Sequence, residues 1–320
     1  MVAPSFGVTI DPYKTRYEES IKRFKKAGYR VEEGPNVHLD EGIAASASPQ
    51  ARAKEINDAF AFDASLILSV GGGEVMVEML PYVDFAAIKK QEPKWFMGFS
   101  DNTNLTLPLV LLTDTMSIYG PCTPSFYQKK WRLSEEDSFK LLKGERVLQG
   151  YPKYSITKSN KDHPLWAYRL TQEKVITPVG YKAPIEGRLL GGCLDCVLGL
   201  VGTPYGDIAG FRKRHPEGII WFLEACDLNP LGIRRGLFQL KQAGWFEGAK
   251  GFLLGRHLCR DQEIFEVNKY NAVTDILGDL GLPILMDIDL GHIPPSMPIK
   301  VGAMAEVAYE NGNIIFQYKE

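Results

Sequence analysis

Residues 94–105 read KWFMGFSDNTNL, a stretch that predicts a buried strand turning directly into a helix. The uncharged, mostly bulky run 95–99 contains no proline or glycine pair that would announce a loop, and an apolar helical stretch follows Asn102. Ser100 therefore stands at the junction, where it or Asn102 caps the helix or where Ser100 is held as a nucleophile. Gly98 would let the backbone pack closely under the turn, although Asn102 stands where the standard nucleophile elbow has glycine.

Strand and helix patterns alternate on both sides of this stretch. Strands are predicted at YRVEEG (29–34), SLILSV (65–70) and SIYGP (117–121), separated by helical patterns. The fold class is thus α/β, with an N-terminal parallel-sheet domain over residues 1–145. Short apolar stretches and an Asn-Gly hairpin predict a smaller, β-rich α/β domain over 181–320, with 146–180 as a linker or lid.

Composition limits the kinds of partner that the chain is expected to bind. Its 320 residues have a net charge of −2, which gives no electrostatic case for nucleic acid or a membrane surface. We expect no membrane span and no secretion signal, because the sequence has no long apolar run and its first residues show no basic segment followed by an apolar one. Five scattered cysteines suit reduced thiols in a cytoplasm. No cofactor and no metal are expected, and the C-x-x-C pair Cys193 and Cys196 is better explained as two small buried residues than as half of a zinc site.

A serine nucleophile needs a base and an orienting carboxylate. The histidines are His38, His163, His215, His257 and His292. Among them His292 is the favoured base, because DLGHIPPSMP places it after a strand, behind a glycine and ahead of stiffening prolines. Glu224 ends the apolar run GIIWFLEACD, where a carboxylate is costly unless paired, either with a catalytic partner or with Arg234 or Arg235. The turn 71–73 (GGG) could supply oxyanion-hole N–H groups, cradle phosphate, or be only a tight turn.

Several segments in a fixed order then resemble one family. They are VAPS (2–5), the glycine turn, PKWFMGFSDNTNL, YGP (119–121), EGRLLGGCLDCVLGLVGT, FLEA, RGLFQLKQAGWFEGAKGFLLGR, GH and PIKVGAMAEV. The chain resembles, over nearly its whole length, the LD-carboxypeptidase family of serine peptidases, which includes muramoyl-tetrapeptide carboxypeptidases and microcin C immunity peptidases.

The resemblance implies a Ser100, Glu224 and His292 triad. The backbone N–H groups of Asp101 and of Gly72 or Gly73 would form the oxyanion hole. It also implies two domains, a homodimer, and a serine carboxypeptidase that cleaves an amide bond near a free carboxylate. The substrate would be a small peptide or a peptidyl-nucleotide, such as a murein LD-peptide or processed microcin C.

Three departures from the family pattern leave the triad untouched, and the first two of them would alter the substrate pocket. Gly71 replaces a common arginine, Cys193 replaces a common asparagine, and Ala225-Cys226 follows the glutamate. The segment with Trp166 resembles the microcin-immunity branch, where a tryptophan stacks on the nucleotide; simple packing is the alternative.

The substrate's carboxylate could be bound by Arg188, Arg234 or Arg235. Two other functions remain open at this point: an α/β-hydrolase-like esterase, and a non-catalytic protein that binds a small molecule or nucleotide.

Overall fold

The computed structural model describes residues 1–156 and 162–319 and divides the chain into two units of nearly equal length. The first comprises residues 1–143, 157–169 and 298–300, and the second comprises residues 144–156, 170–297 and 301–320. The α/β class is confirmed, but the second unit is not the smaller one, because strands preceding residue 181 also belong to it. Within the predicted linker, residues 157–161 lie outside the described residues.

The first unit is built on a sheet covered by helices on both faces. The strands, in sheet order, are Leu66–Leu68, Trp95–Gly98, Ser117–Tyr119 and Ile299–Val301. The α-helices are Tyr13–Lys26, Pro49–Ala61, Phe85–Ile88, Thr103–Thr113 and Leu133–Leu142, with 3-10 helices at Met76–Tyr82, Ser100–Asn102 and Thr123–Tyr127. The first three strands are parallel, as predicted. Ile67 and Phe96 face one core cluster and Leu68 and Met97 the other, which is the alternation expected of a doubly covered sheet.

One predicted strand is wrong. Residues 29–34 form no regular strand, although Gly34 N–H donates to the Met1 carbonyl at 2.8 Å. Beside Leu66–Leu68 runs Val2 instead, which forms a parallel bridge with Ser69.

The second unit contains a mixed sheet. Its strands, in sheet order, are Val147–Gln149, Asn313–Tyr318, Met304–Glu310, Ile185–Cys193, Ile219–Glu224, Ala249–Gly255, Ile284–Ile288 and Thr177–Val179. A ribbon pairs Lys153–Tyr154 with Gln172–Glu173. The helices are Leu194–Leu200, Ile208–Arg214, Pro230–Gln242 and Asn271–Leu277, with a 3-10 helix at Gly278–Leu280. The predicted hairpin is confirmed, with positive φ at Asn311 and Gly312.

Parallel strands of the second unit end at one edge of its sheet. The run of four from Ile185–Cys193 to Ile284–Ile288 is parallel, so Cys193 and Glu224 are direct neighbours at that edge. Loops at the carboxyl ends of parallel strands are the usual place for functional groups.

Candidate active site

Ser100 lies in a strained turn between strand and helix. Its φ of 62° is in the left-handed region, which is uncommon for a residue other than glycine and is a strain often found at functional sites. The strand Trp95–Gly98 ends just before it, and the helix Thr103–Thr113 begins just after its 3-10 turn. Ser100 starts that turn rather than capping it, and Asn102, at the N-cap of the α-helix, makes no capping bond with its side chain. The geometry therefore favours the elbow over the cap.

The side chain of Asn102 links the turn at Ser100 to the glycine turn by hydrogen bonds. Its amide nitrogen donates to the carbonyl oxygens of Gly71 and Phe99, each at 2.8 Å. A methyl group at Gly98 would lie 2.5 Å from the Asn102 Cγ, so only glycine fits beneath it. Asn102 thus stabilises the turn in a way that a glycine at that position could not.

The glycine turn lies directly against the Ser100 side chain. A methyl group at Gly72 would be 3.2 Å from the Ser100 Cβ and 3.4 Å from its Oγ. At Gly73 it would be 2.1 Å from the Ser5 Oγ. The backbone of this turn can therefore approach whatever reacts at Ser100.

The carboxylate of Asp101 is a structural group. It is buried and accepts hydrogen bonds from Ser5 Oγ, from Met76 N at 3.0 Å and from Asn104 Nδ2 at 2.8 Å. Burial raises its pKa, which these hydrogen bonds partly offset. By accepting from Met76, at the start of the 3-10 helix after the glycine turn, it occupies a donor that a bound phosphate would need. The phosphate-cradle interpretation loses support.

Glu224 and His292 form a pair in the second unit, in which the carboxylate is buried and the imidazole is partly exposed. His292 Nδ1 lies 2.9 Å from Glu224 Oε2, and the glutamate side chain is 0% exposed. A methyl group at Gly291, whose φ is 109°, would lie 3.0 Å from that oxygen. Burial by itself lowers the pKa of His292, but the charge of Glu224 and hydrogen bonds with Cys226 and Glu224 raise it to about 10.

The other histidines have different surroundings. His38 lies 3.1 Å from Glu33 on the surface, and His215 lies against Phe211. His257 is buried, which lowers its pKa to about 4, and neither ring nitrogen has a hydrogen-bond partner among the described residues.

The arginines do not pair with Glu224. Arg188 donates to Glu217 and to the Gly302 carbonyl, and its strand position faces Ile219, at the opposite edge of the sheet from Glu224. This placement puts Arg188 away from the Glu224–His292 pair, and its role in binding the substrate's carboxylate stays a prediction.

Arg234 is bound to a neighbouring helix. It donates to Asp275 at 2.6 Å, and Arg235 is exposed. An arginine so placed stabilises the packing of helix Pro230–Gln242 on Asn271–Leu277. The alternative of an Arg234 or Arg235 pairing for Glu224 is therefore wrong.

Trp166 belongs to the first unit and is 62% exposed. Its ring stacks on His163 with centroids 3.8 Å apart, and the Tyr127 hydroxyl donates to its carbonyl oxygen. The exposed face of the ring is available to a flat ligand.

Asp195 is a residue that the sequence interpretation missed. Its carboxylate accepts from the backbone N–H groups of Cys226, Asp227 and Leu228, and so fixes the chain just after Glu224. Its signal was an acidic residue inside GGCLDC, next to Cys193 at the end of a buried strand. Within residues 1–156 and 162–319, no group of three or more His, Cys, Asp or Glu side chains could hold a metal ion.

Comparisons with known proteins cover both units. A family model described as the LD-carboxypeptidase N-terminal domain matches residues 1–120, and the corresponding C-terminal domain matches residues 186–307. The chain is 25% identical over 315 residues to the microcin C7 self-immunity protein MccF of Escherichia coli, covering 94% of this chain and 88% of that protein. It is 23% identical over 303 residues to a protein of Bacillus subtilis described as a probable murein peptide carboxypeptidase, covering 92% and 84%.

Solved structures have the same fold. MccF in its wild-type apo state aligns with a TM-score of 0.84 at 24% identity, over 99% of this chain and 95% of that one. Muramoyltetrapeptide carboxypeptidase from Oxalobacter formigenes aligns with a TM-score of 0.75 at 21% identity, over 100% and 97%.

Proposed function

This chain belongs to the LD-carboxypeptidase family of serine peptidases, and from that premise we propose that Ser100, Glu224 and His292 are its catalytic triad. Membership confirms the resemblance found in the sequence and makes the protein a serine-type carboxypeptidase. The triad would hydrolyse an amide bond close to a free carboxylate.

The observation that carries the proposal is the 2.9 Å contact between His292 Nδ1 and the buried Glu224 carboxylate. With Nδ1–H donating to Glu224, the Nε2 atom of the neutral ring is left to accept a proton. His292 then takes the proton from the Ser100 Oγ as that oxygen attacks the amide carbonyl. The imidazolium next protonates the departing amine, and water resolves the acyl-enzyme.

The negative oxygen formed during attack needs donors close to Ser100. We assign this role to the backbone N–H groups of Asp101 and of Gly72 or Gly73. In support, the backbone of Gly72 lies so close to Ser100 that a methyl group there would be 3.4 Å from the Ser100 Oγ, and Asp101 follows Ser100 in the 3-10 turn.

The favoured substrate is a peptidyl-nucleotide, with a murein LD-peptide as the second candidate. MccF has been solved in complex with aspartyl sulfamoyl adenosine and with glutamyl sulfamoyl guanosine, each an amino acid joined to a nucleoside. In this chain, Trp166 offers an exposed ring on which a base could stack. The murein candidate is supported by the names of other relatives.

Mass-spectrometric assay of both substrates against wild type, Ser100→Ala and His292→Ala tests the proposal. Wild type should release the fragment that carries the free carboxylate, and the rate of hydrolysis should be at least about 10³-fold lower in both variants. An unchanged rate in either variant contradicts the triad. Intact-protein acylation by a fluorophosphonate, lost in Ser100→Ala, separates this hydrolase from a binding protein.

Trp166→Ala distinguishes the two substrates. Loss of stacking should lower kcat/KM for the peptidyl-nucleotide roughly tenfold or more and leave the murein peptide unaffected. Tyr82→Ala, which removes another exposed aromatic ring of the same unit, is the matched control. Equal effects of the two substitutions contradict the stacking role.

The alternatives fit less well. An α/β-hydrolase-like esterase would have a single sheet and a glycine at position 102. The homodimer and the cytoplasmic location stay predictions; among the described residues, no helix is both long and apolar enough to cross a membrane.

A further inference from the structure

The loop that carries His292 is held by one buried arginine. Arg256 donates through Nη1 to the Asp289 carboxylate at 2.7 Å. Through Nη2 it donates to the carbonyl oxygens of Ile293 at 3.3 Å and Pro295 at 2.7 Å. These acceptors lie before and after His292 in the chain. A single planar group therefore fixes both sides of the histidine.

The surroundings of Arg256 leave it little freedom. Its side chain is 4% exposed, and the Tyr154 ring lies 4.9 Å from the guanidinium carbon. The Asp289 side chain is itself fully buried, and its Oδ2 atom also forms an ion pair with Lys174 Nζ at 3.0 Å. Two buried cations on one carboxylate are costly to desolvate, so removing one partner of this cluster leaves a poorly compensated buried charge.

The residues that flank Tyr154 and its strand also contact the histidine loop directly. Ser155 N–H donates to the Pro294 carbonyl at 2.8 Å. Tyr151 N–H donates to the Asp289 carboxylate at 2.7 Å. Backbone and side-chain contacts thus converge on residues 289–295, with the Arg256 fork at their centre.

We propose that Arg256 is the positioning residue of the general base. It holds the 289–295 loop so that His292 Nδ1 keeps its contact with Glu224 and Nε2 is oriented to accept a proton. This inference rests on the proposed function of His292. Arg256 contacts the loop and not the reacting atoms, so it acts through the geometry of the imidazole. A lysine keeps the charge for Asp289 but lacks the planar fork that reaches two further carbonyl oxygens.

The first test measures Ser100 acylation by a fluorophosphonate in Arg256→Ala and Arg256→Lys. A displacement of about 1 Å at the base predicts a rate roughly 100-fold lower in Arg256→Ala, and a loss nearer to that of alanine than to wild type in Arg256→Lys. Methylguanidinium added to Arg256→Ala should restore part of the rate and leave wild type unchanged. Arg212→Ala is the matched control, because Arg212 also donates to a carbonyl and a carboxylate but belongs to the helix Ile208–Arg214 and makes no contact with residues 289–295 in these bonds.

The second test does not depend on activity. NMR titration of the His292 ring should give a lower pKa in Arg256→Lys than in wild type, because the ring leaves Glu224. A folded Arg256→Ala protein that is acylated within threefold of wild type overturns the proposal, as does an unchanged His292 titration in Arg256→Lys. If Ser100→Ala is acylated as fast as wild type, the proposed nucleophile fails, while the titration still decides the role of Arg256.

Discussion

Replacement of Glu224 by glutamine tests how the buried carboxylate acts on His292. The exchange keeps the shape and removes the charge that lies 2.9 Å from Nδ1. A glutamine amide can donate to Nδ1, and the neutral ring then carries its proton on Nε2, where it cannot accept one from a serine. We therefore expect the rate of acylation to fall by about 10³–10⁴-fold.

The same substitution should alter the dependence of stability on pH. The folded-state pKa of His292 is raised to about 10 from an ordinary 6.5. The stability that the pair contributes is therefore fully present below pH 6.5 and is lost as the pH rises towards 10. A hydrogen bond to a charged group contributes about 1.5–3 kcal/mol. Glu224→Gln should thus be less stable than wild type by about that amount at pH 6, and by much less near pH 10.

Two measurements check these expectations. Fluorophosphonate acylation followed by intact mass from pH 5 to 10 should rise with pH in wild type through the raised pKa of His292, and Glu224→Gln should show its rise nearer pH 6.5. Urea unfolding at pH 6 and near pH 10 gives the two stability differences. Glu217→Gln, which removes a carboxylate paired with Arg188 in the same sheet, is the control. The reasoning is refuted if Glu224→Gln is acylated within tenfold of wild type and its rise occurs at the same pH.

Three further substitutions probe the turns around the site. Gly72→Ala places a methyl group 3.2 Å from the Ser100 Cβ without a positive φ to strain, so acylation should slow roughly tenfold while the unfolding free energy changes by less than about 1 kcal/mol; kinetics and urea unfolding check both. Gly291→Ala places a methyl group against Glu224 and a side chain at a φ of 109°. Urea unfolding should show an unfolding free energy lower by about 1–3 kcal/mol. Asp101→Asn leaves a buried donor facing other donors, and thermal and urea unfolding should show a loss of about 1–3 kcal/mol.

Local patterns predicted most of the elements near the site. The strand Trp95–Gly98 and the helix Thr103–Thr113 follow from a bulky run and an apolar stretch separated by polar residues. His292 was indicated by the glycine and prolines of its loop, and Glu224 by the cost of ending a buried strand with a charge. These signals lie within a few residues of the groups they predict.

Long-range partners were not predictable in the same way. Residues 29–34 have a strand-like composition, but a strand also needs a sheet edge, and Val2 pairs beside Leu66–Leu68. Arg188 is bound to Glu217, 29 residues away in the chain. Its local sequence contains no trace of that partner. The left-handed φ of Ser100 likewise depends on what packs around the turn, and serine itself carries no preference for it.

Gly98 and Asn102 also limit how this sequence can change over generations. Any side chain at position 98 meets Asn102 at 2.5 Å, and replacing Asn102 alone releases the carbonyl oxygens of Gly71 and Phe99. A glycine at 102 is the exchange that would make room for a larger residue at 98. Each single substitution weakens the turn that holds Ser100. We therefore expect positions 98 and 102 to covary among related sequences.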